Sequence, residues 1–590
     1  MAALWIAVTL ILFAGLGAWL NSKATVIKSE LQSATKLLSP LKAQIAANDA
    51  TAAGQTVDAL VEHTSLAREA ANDPVWRAAS ILPWVGPNLQ AASEVATSAD
   101  DVARLGAMPL VKAFQSLDWK SLTPTQTGSD LEPLRKAAPQ VQAAAHAVRE
   151  TSNRLNNINV EGLLPQIAEP LVSARSELKG LSAGLNSAAD AARLAPGMLG
   201  ADSPRRYLLL MQNNAESRAS GGIPGALAVL TVTKGKIDLE AQTSASALGS
   251  FVPPVTISPE EQAIYSGRVG KFMQDVNLTP DFETTASTAQ AMWEKNSGEQ
   301  LSGVLSLDPV ALSFILEATG PVEITDPVVQ RIGSELPAQL NSSNVVQTLL
   351  SDAYAKIEEP KLQDIYFAGA AQEIFAGVSS GNTDPKKLMD AISRGVDDRR
   401  ILLWSAETEE QAVIGKYPIA GLISGPSVSP TQFGVYFNDG TGAKMDYWVK
   451  RKVQIVKDCT RDGYREVAVR VVSTNTAPSN AGSTLSPYVT GAGAYGVPAG
   501  FVQTNIVAYG PAQSNVDTVV KDGVKIPFAA QRHSQRPVGT STIRLAPGQS
   551  TTLDFTFGHI VQHAEPDVAV TPTTQPVNEV VQAPTTTPCE

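Results

Sequence analysis

Arg206-Tyr207-Leu208-Leu209-Leu210-Met211-Gln212-Asn213-Asn214-Ala215-Glu216-Ser217-Arg218-Ala219-Ser220-Gly221-Gly222 is the stretch on which the reading of this 590-residue chain turns. Tyr207 to Met211 reads as a buried strand. The run stops at a polar cluster of Gln212, Asn213, Asn214, Glu216 and Arg218. A glycine pair follows, then a second apolar run from Ala226 to Val232 and the turn Lys234-Gly235-Lys236. On this reading a strand delivers amides, a carboxylate and a guanidinium to one loop, where glycines let backbone N–H groups approach a ligand. Ligands bind at the strand ends of open α/β sheets. The alternative is a hydrogen-bonded turn that anchors two strands.

Downstream, Ala241 to Gln274 reads as a long surface loop. Asp281 either caps the helix Thr284 to Asn296 or faces a ligand, and Gly298 ends that helix. Gly303 to Asp308 is a strand and turn, and Val310 to Thr319 a helix. Further helices are expected at 343–356, 361–376 and 384–396. Asp397-Asp398-Arg399-Arg400 then leads into a strand at 401–404. This order predicts a central α/β sandwich over 200–424. Seven short strands separated by Gly, Asn and Pro turns predict an immunoglobulin-like β sandwich over 425–565. Asn438 to Tyr447 reads as a hairpin turn within it. Gly491 to Gly496 fits G-x-G-x-x-G by letter, but it opens no helix and is not a dinucleotide site. The Pro/Thr-rich tail, 566–590, is expected to be extended with no core of its own.

Upstream, Ala2 to Leu20 is an apolar run flanked by Trp5 and Trp19, which predicts a transmembrane anchor over 1–20. Residues 21–198 predict an α-helical stalk or bundle. Its clearest seam is Leu171, Ala174, Leu178, Leu181, Leu185, Ala188 and Ala192, at a/d spacing.

The net charge of −11, with no Lys/Arg-rich run, argues against nucleic acid. The five histidines lack neighbours at metal-ligand spacing, so no metal site is assigned. Two cysteines, Cys459 and Cys589, pair if the compartment is oxidising, or stand as unrelated thiols.

Gln212 to Gly222 resembles the signature Q-N-N-x-E-x-R-x-x-G-G of bacterial proteins grouped as domain of unknown function family 4012. Leu82-Pro83-Trp84-Val85-Gly86 resembles that family's L-P-W-x-G, and Asn277 to Phe282 its N-x-T-x-D-F. Gly303 to Val322 resembles its D-G-V-x-x-x-D-P…G-P-V, with Ser302 where Asp is usual. Asn438 to Asp446 resembles its N-x-x-G-x-K-M-D. The resemblance implies a protein of the bacterial cell envelope; with the apolar run 2–20 this gives a single-pass plasma-membrane protein, and together with the possible disulfide it favours an extracytoplasmic body. Lys23 and Lys28 by themselves argue for the opposite orientation.

The core also resembles, more distantly, the LytR–CpsA–Psr enzymes. These transfer glycopolymers from a polyprenyl pyrophosphate carrier to the cell wall, with arginines, acidic residues and often Mg²⁺. That likeness implies Arg218, Asp281 and Glu216 as catalytic groups, and Asn213, Asn214, Arg399, Arg400, Asp275 and Asp308 as ligand-binding groups. The enzymes' R-x-D-T, P-R-D and R-x-R-x-x-Q segments are not found. Two functions stay open. One is binding, with or without transfer, of a polyprenyl-linked or other anionic glycopolymer in cell-wall assembly, the partner being that glycopolymer or peptidoglycan. The other is a non-enzymatic scaffold or interaction protein.

Overall fold

The computed structural model describes residues 2–47, 49–116, 122, 124–381 and 383–585, with the side chains of 2–10, 12, 13, 46, 116 and 241 left aside. The chain forms two compact units, one of residues 1–122 and 130–198, the other of 123–129 and 199–590.

The first unit is helical: Ala2–Ala46, Ala50–Ala71, Pro74–Ala79, Gly86–Asp101, Met108–Ser116, Glu132–Asn156 and Pro165–Met198, with a π-helical turn at Val102–Ala107. Among the described residues no helix is long and apolar enough to cross a membrane. This overturns the anchor expected over 1–20, and with it the plasma-membrane location and the membrane as partner. The apolar run is not a separate span. It opens one 45-residue helix, which enters the bundle at Leu20, Ile27 and Leu31. Trp19, read as an interfacial marker, instead donates its indole N–H to Asp73 at 3.1 Å, and Lys23 pairs with the same carboxylate.

The seam of the last helix is also shifted. Leu171 and Ala192 are buried and Leu178 and Leu185 half-buried, but the other buried positions are Ser182, Ala189 and Pro196. Those lie four residues after Leu178, Leu185 and Ala192, where the sequence pattern placed Leu181 and Ala188 three after the two leucines. Residues three and four apart share a face, so only packing decides between them.

The second unit holds an α/β core and a β sandwich. The core sheet has strands β1 (Arg205–Arg218), β2 (Gly221–Thr233), β3 (Lys236–Ser244) and β4 (Gly303–Leu307). A two-stranded ribbon, β5 (Val322–Glu323) with β6 (Gln339–Leu340), follows, and β7 (Leu402–Ser405) completes the main sheet. Its order is β3-β2-β1-β4-β7, with β1 and β4 parallel and the other pairs antiparallel. Leu208 and Leu210 point to a core with Phe282, Ala286, Ala289 and Met292 of the helix Phe282–Ser297. Leu209, one residue out of phase, is equally buried. Burial on both faces is why this strand reads as an unbroken apolar run.

The sandwich strands are β8 (Gln432–Asp439), β9 (Val449–Arg461), β10 (Tyr464–Asn475), β11 (Val502–Tyr509), β12 (Asn515–Lys521), β13 (Val524–Ile526), β14 (Ala529–His533), β15 (Arg536–Leu545), β16 (Ser550–Ile560) and β17 (Asp567–Val570). They form two five-stranded sheets, β13-β12-β16-β10-β9 and β14-β15-β11-β8-β17. Phe433, Phe437, Val469, Leu553 and Phe555 pack between them.

The tail is part of this body. β17 pairs in parallel with β8, and Val570 and Val580 join the sandwich core. Cys459 is disulfide-bonded; Cys589 lies outside the described residues.

The shifted seam gives a stability test. Leu171→Ala is expected to cost about 2–5 kcal/mol. Leu181→Ala, at a position 44% exposed, is expected to stay within about 0.5 kcal/mol. Urea denaturation of the full chain followed by far-UV circular dichroism separates the two.

Candidate functional site

β1 does not end where its apolar run ends. It continues through Arg218, with register shifts at Met211/Gln212 and Asn213/Ser217. The polar cluster therefore sits on a bulged strand rather than in an open loop. Gln212 braces it on both sides: Nε2 donates to Ser306 Oγ at 2.6 Å, and Oε1 accepts from Gly222 N at 3.0 Å. The glycine pair answers to the chain itself. A Cβ on Gly221 would lie 1.8 Å from Gln212 Oε1, and one on Gly222 would lie 2.1 Å from the Asn213 backbone. Close approach is required, but of protein to protein.

Arg218 is 7% exposed. Its Nη2 donates to Glu216 Oε1 at 2.9 Å and to Asp275 Oδ1 at 3.3 Å, and its Nη1 to Ser217 O at 3.1 Å. Glu216 Oε2 accepts from Lys444 Nζ at 2.5 Å. Asp275 accepts a second guanidinium, Arg268, at 2.8 Å. Burial works to raise the Glu216 carboxyl, but the charges of Lys444 and Arg218 outweigh it and hold the pKa below the usual range. Next along, Ser217 N donates to Asp446 Oδ2 at 2.9 Å. The other oxygen of Asp446 is bonded by Arg451, whose guanidinium lies 4.5 Å over the Phe437 ring. Asp439 caps the turn that carries Lys444, accepting from Thr441 N and Gly442 N at 3.0 and 2.6 Å. Burial first, then the carboxylates of Asp446 and Glu216, push its pKa up to about 7.

A second pair lies beside the first. Asp308 Oδ1 caps the helix Pro309–Thr319 through Ala311 N at 2.8 Å. Its Oδ2 accepts from Arg400 Nη1 at 2.7 Å and Asn214 Nδ2 at 3.0 Å. The tail completes this group. Arg400 Nη2 donates to Gln575 O at 2.9 Å, Asn214 Nδ2 to Pro572 O at 3.1 Å, and Thr571 Oγ1 to Ala219 O at 2.9 Å.

The remaining expected site residues are held by other partners. Asn213 donates to the Tyr354 hydroxyl. Asp281 caps the helix Phe282–Ser297 through Thr284 N at 3.3 Å; burial raises its pKa, against the pull of His533. Arg399, at φ +57°, donates to Gly421 O at 3.2 Å. It lines a cavity of about 260 Å³ with Asp397, Asp398, Asp567 and Val577. So Glu216, Arg218 and Asp275 converge, as do Asn214, Asp308 and Arg400. Both groups are buried and their charges are paired inside the protein, while Arg218 Nε, Arg400 Nε and Asn214 Oδ1 have no hydrogen-bond partner among the described residues. Among the described residues, no three His, Cys, Asp or Glu side chains are placed to hold a metal ion.

Sequence reading passed over Lys444, Asp446 and Arg451, and the tail residues Thr571 and Gln575. The signal for the first two was the motif Asn438 to Asp446, whose polar content exceeds what a hairpin turn needs. The expected surface loop before Asp275 is likewise packed. Tyr265 and Val269 sit in a cluster with Tyr436, Tyr509 and Val538 of the sandwich. The Tyr265 and Tyr509 hydroxyls meet at 2.6 Å, and Tyr509 meets His533 Nδ1 at 2.9 Å.

Residues 202–354 match the model of a family described as "Protein of unknown function (DUF4012)". That segment contains the quoted signature and ends at Tyr354, the partner of Asn213. No curated protein matches the chain.

Two outcomes follow from the pairing. Arg400→Met strands a buried carboxylate and is expected to cost about 3–5 kcal/mol, read as a loss in the urea midpoint; Asp308→Asn in the same chain recovers part of it. For Asp439, the folded protein holds the proton up to about pH 7, whereas the unfolded chain releases it near pH 4. The folded state thus binds the extra proton between those values, and this contribution to stability falls as pH rises from 5 to 7, then levels. Asp439→Asn is expected to flatten that slope relative to wild type in midpoints measured at pH 5, 6, 7 and 8.

Proposed function

We propose that this protein is a non-enzymatic scaffold, and that the signature residues lock its α/β core to its β sandwich rather than bind a substrate. The observation that carries this reading is the state of Arg218. A phosphate clamp needs an accessible guanidinium whose counter-charge arrives with the ligand. Arg218 instead has Glu216 and Asp275 as resident counter-charges, and Glu216 has Lys444 as a further one. Glu216 is held the same way, and a carboxylate kept ionised between two cations is a poor proton acceptor; Asp281 is engaged as a helix cap. Lys444, Asp446, Arg451 and Gln575 come from the sandwich and tail, Glu216, Arg218, Asp308 and Arg400 from the core. A cluster assembled from both sides fixes their mutual position, because leaving any one charge without its partner is costly.

The test compares binding of a polyprenyl pyrophosphate by the full chain and by Arg218→Met. Absence of binding in wild type, with a lowered and still single unfolding transition for Arg218→Met, is the expected result. Saturable binding by wild type that Arg218→Met abolishes without loss of stability would overturn the scaffold and favour glycopolymer transfer.

A further inference from the structure

Most outer edges of the sandwich are short or covered. β13 has three residues. Along β9, the tail supplies Gln582 N to Val453 O at 2.9 Å and Thr585 N to Ile455 O at 3.0 Å. β17, four residues long, lies on β8. β14 is different. It pairs with β15 alone, through a two-residue turn at Ser534 and Gln535 with φ of +49° and +66°. In such a hairpin the closing pair, His533 and Arg536, exchanges both bonds, and bonding alternates from there. Ala529, Gln531 and His533 therefore turn their main-chain groups to β15, while Ala530 and Arg532 turn theirs outward. Pro537, opposite Arg532, fits this phase because it has no N–H to give. Among the described residues, neither Ala530 nor Arg532 has a main-chain hydrogen bond beyond the hairpin. The edge opens on a cavity of about 680 Å³, whose far wall is Asn515, Val516 and Asp517 of β12. β13 reaches only Val519 to Lys521 and leaves that stretch uncovered. At the other end the groove is stopped by the helix Pro259–Tyr265, where Glu260 accepts from Ser534 N at 3.0 Å.

We propose that this groove docks an extended peptide segment of a partner polypeptide, which adds to the sheet as a strand beside β14. The unfilled groups decide the class of ligand: N–H and C=O alternating along Ala530 to Arg532 are matched by another main chain. Arg532 reaches Ser514 O and Asn515 Oδ1 across the groove, so the facing wall stands within one side chain's length of the edge, which favours a lone segment over edge-to-edge pairing with a second copy's sheet. Arg532 contacts Ser514 O and Asn515 Oδ1 at only 3.5 and 3.3 Å. It faces the incoming segment and favours an acidic side chain there. The proposal rests on the scaffold reading for its biological sense, but its geometry is independent of it.

The test uses the full chain and phage-displayed random dodecapeptides, with Ala530→Pro as control. Proline removes the outward N–H at an edge position that tolerates it, and thermal melts verify folding; Arg532→Pro serves as a second control. The expected result is a set of peptides bound by wild type, weakened roughly tenfold or more by either proline, which slow hydrogen exchange at the Ala530 and Arg532 amides. Three results would overturn it: no enrichment over the proline variants, equal binding to them, or protection of these amides through self-association without peptide. Polyprenyl pyrophosphate binding would sink the scaffold reading and leave this outcome unaffected.

Discussion

The second unit depends on one constraint: seven residues of β1, Gln212 to Arg218, leave an apolar sheet and carry amides and charges into a space where water does not follow. Burying Glu216 or Arg218 alone is prohibitive, and burying them together is at best neutral. The chain meets the demand by drawing in Lys444 and Asp446 from the sandwich and Asp275 and Arg268 from the long loop. What is gained is less stability than uniqueness. An apolar joint tolerates sliding, whereas a joint of alternating charges has one register. The bulges of β1 are part of the same solution, since they re-aim side chains that a regular strand would send to opposite faces.

Asp308 and Asp439 illustrate how such a joint uses local motifs twice. Each is a cap, of a helix and of a turn, and each also faces the charge cluster. The cap made by Asp308 takes one oxygen and leaves the other for a longer-range partner, whereas the cap made by Asp439 takes both. In Asp308 that partner is Arg400. Asp439 has no ion-paired cation among the described residues, and burial with the charges of Asp446 and Glu216 outweighs the pull of Arg218 and lifts its pKa.

Much of the fold was legible because it is locally encoded. Asp281 before the helix Phe282–Ser297, Gly298 after it, and the apolar run 207–211 follow from neighbours within a few residues. The sandwich strands at 466–474 and 501–509 declared themselves by β-branched and aromatic content. The partners of the signature did not, since Lys444 is 228 residues from Glu216 and no spacing rule connects them. The tail misled for a physical reason. Thr, Gln and Pro make a poor hydrophobic core, yet hydroxyls, amides and free carbonyls are what a buried polar joint consumes, and Thr571 and Gln575 are buried. The seam of the last helix failed on a choice between three and four residues. The apolar N-terminal run failed because composition alone does not distinguish a bundle helix from a span.

The bond from Asn214 to Pro572 joins residues 358 apart, and this has a consequence for how the protein is made. As synthesis proceeds, β1 emerges early with its guanidinium and carboxylates, but the carbonyls that finish the group arrive only once position 575 has left the ribosome. Until then the nascent core holds unfilled donors and cannot close. Closure of this polar group thus waits for residues 571–575 to emerge, and a chaperone that shields half-built polar surfaces would find its client in the interval.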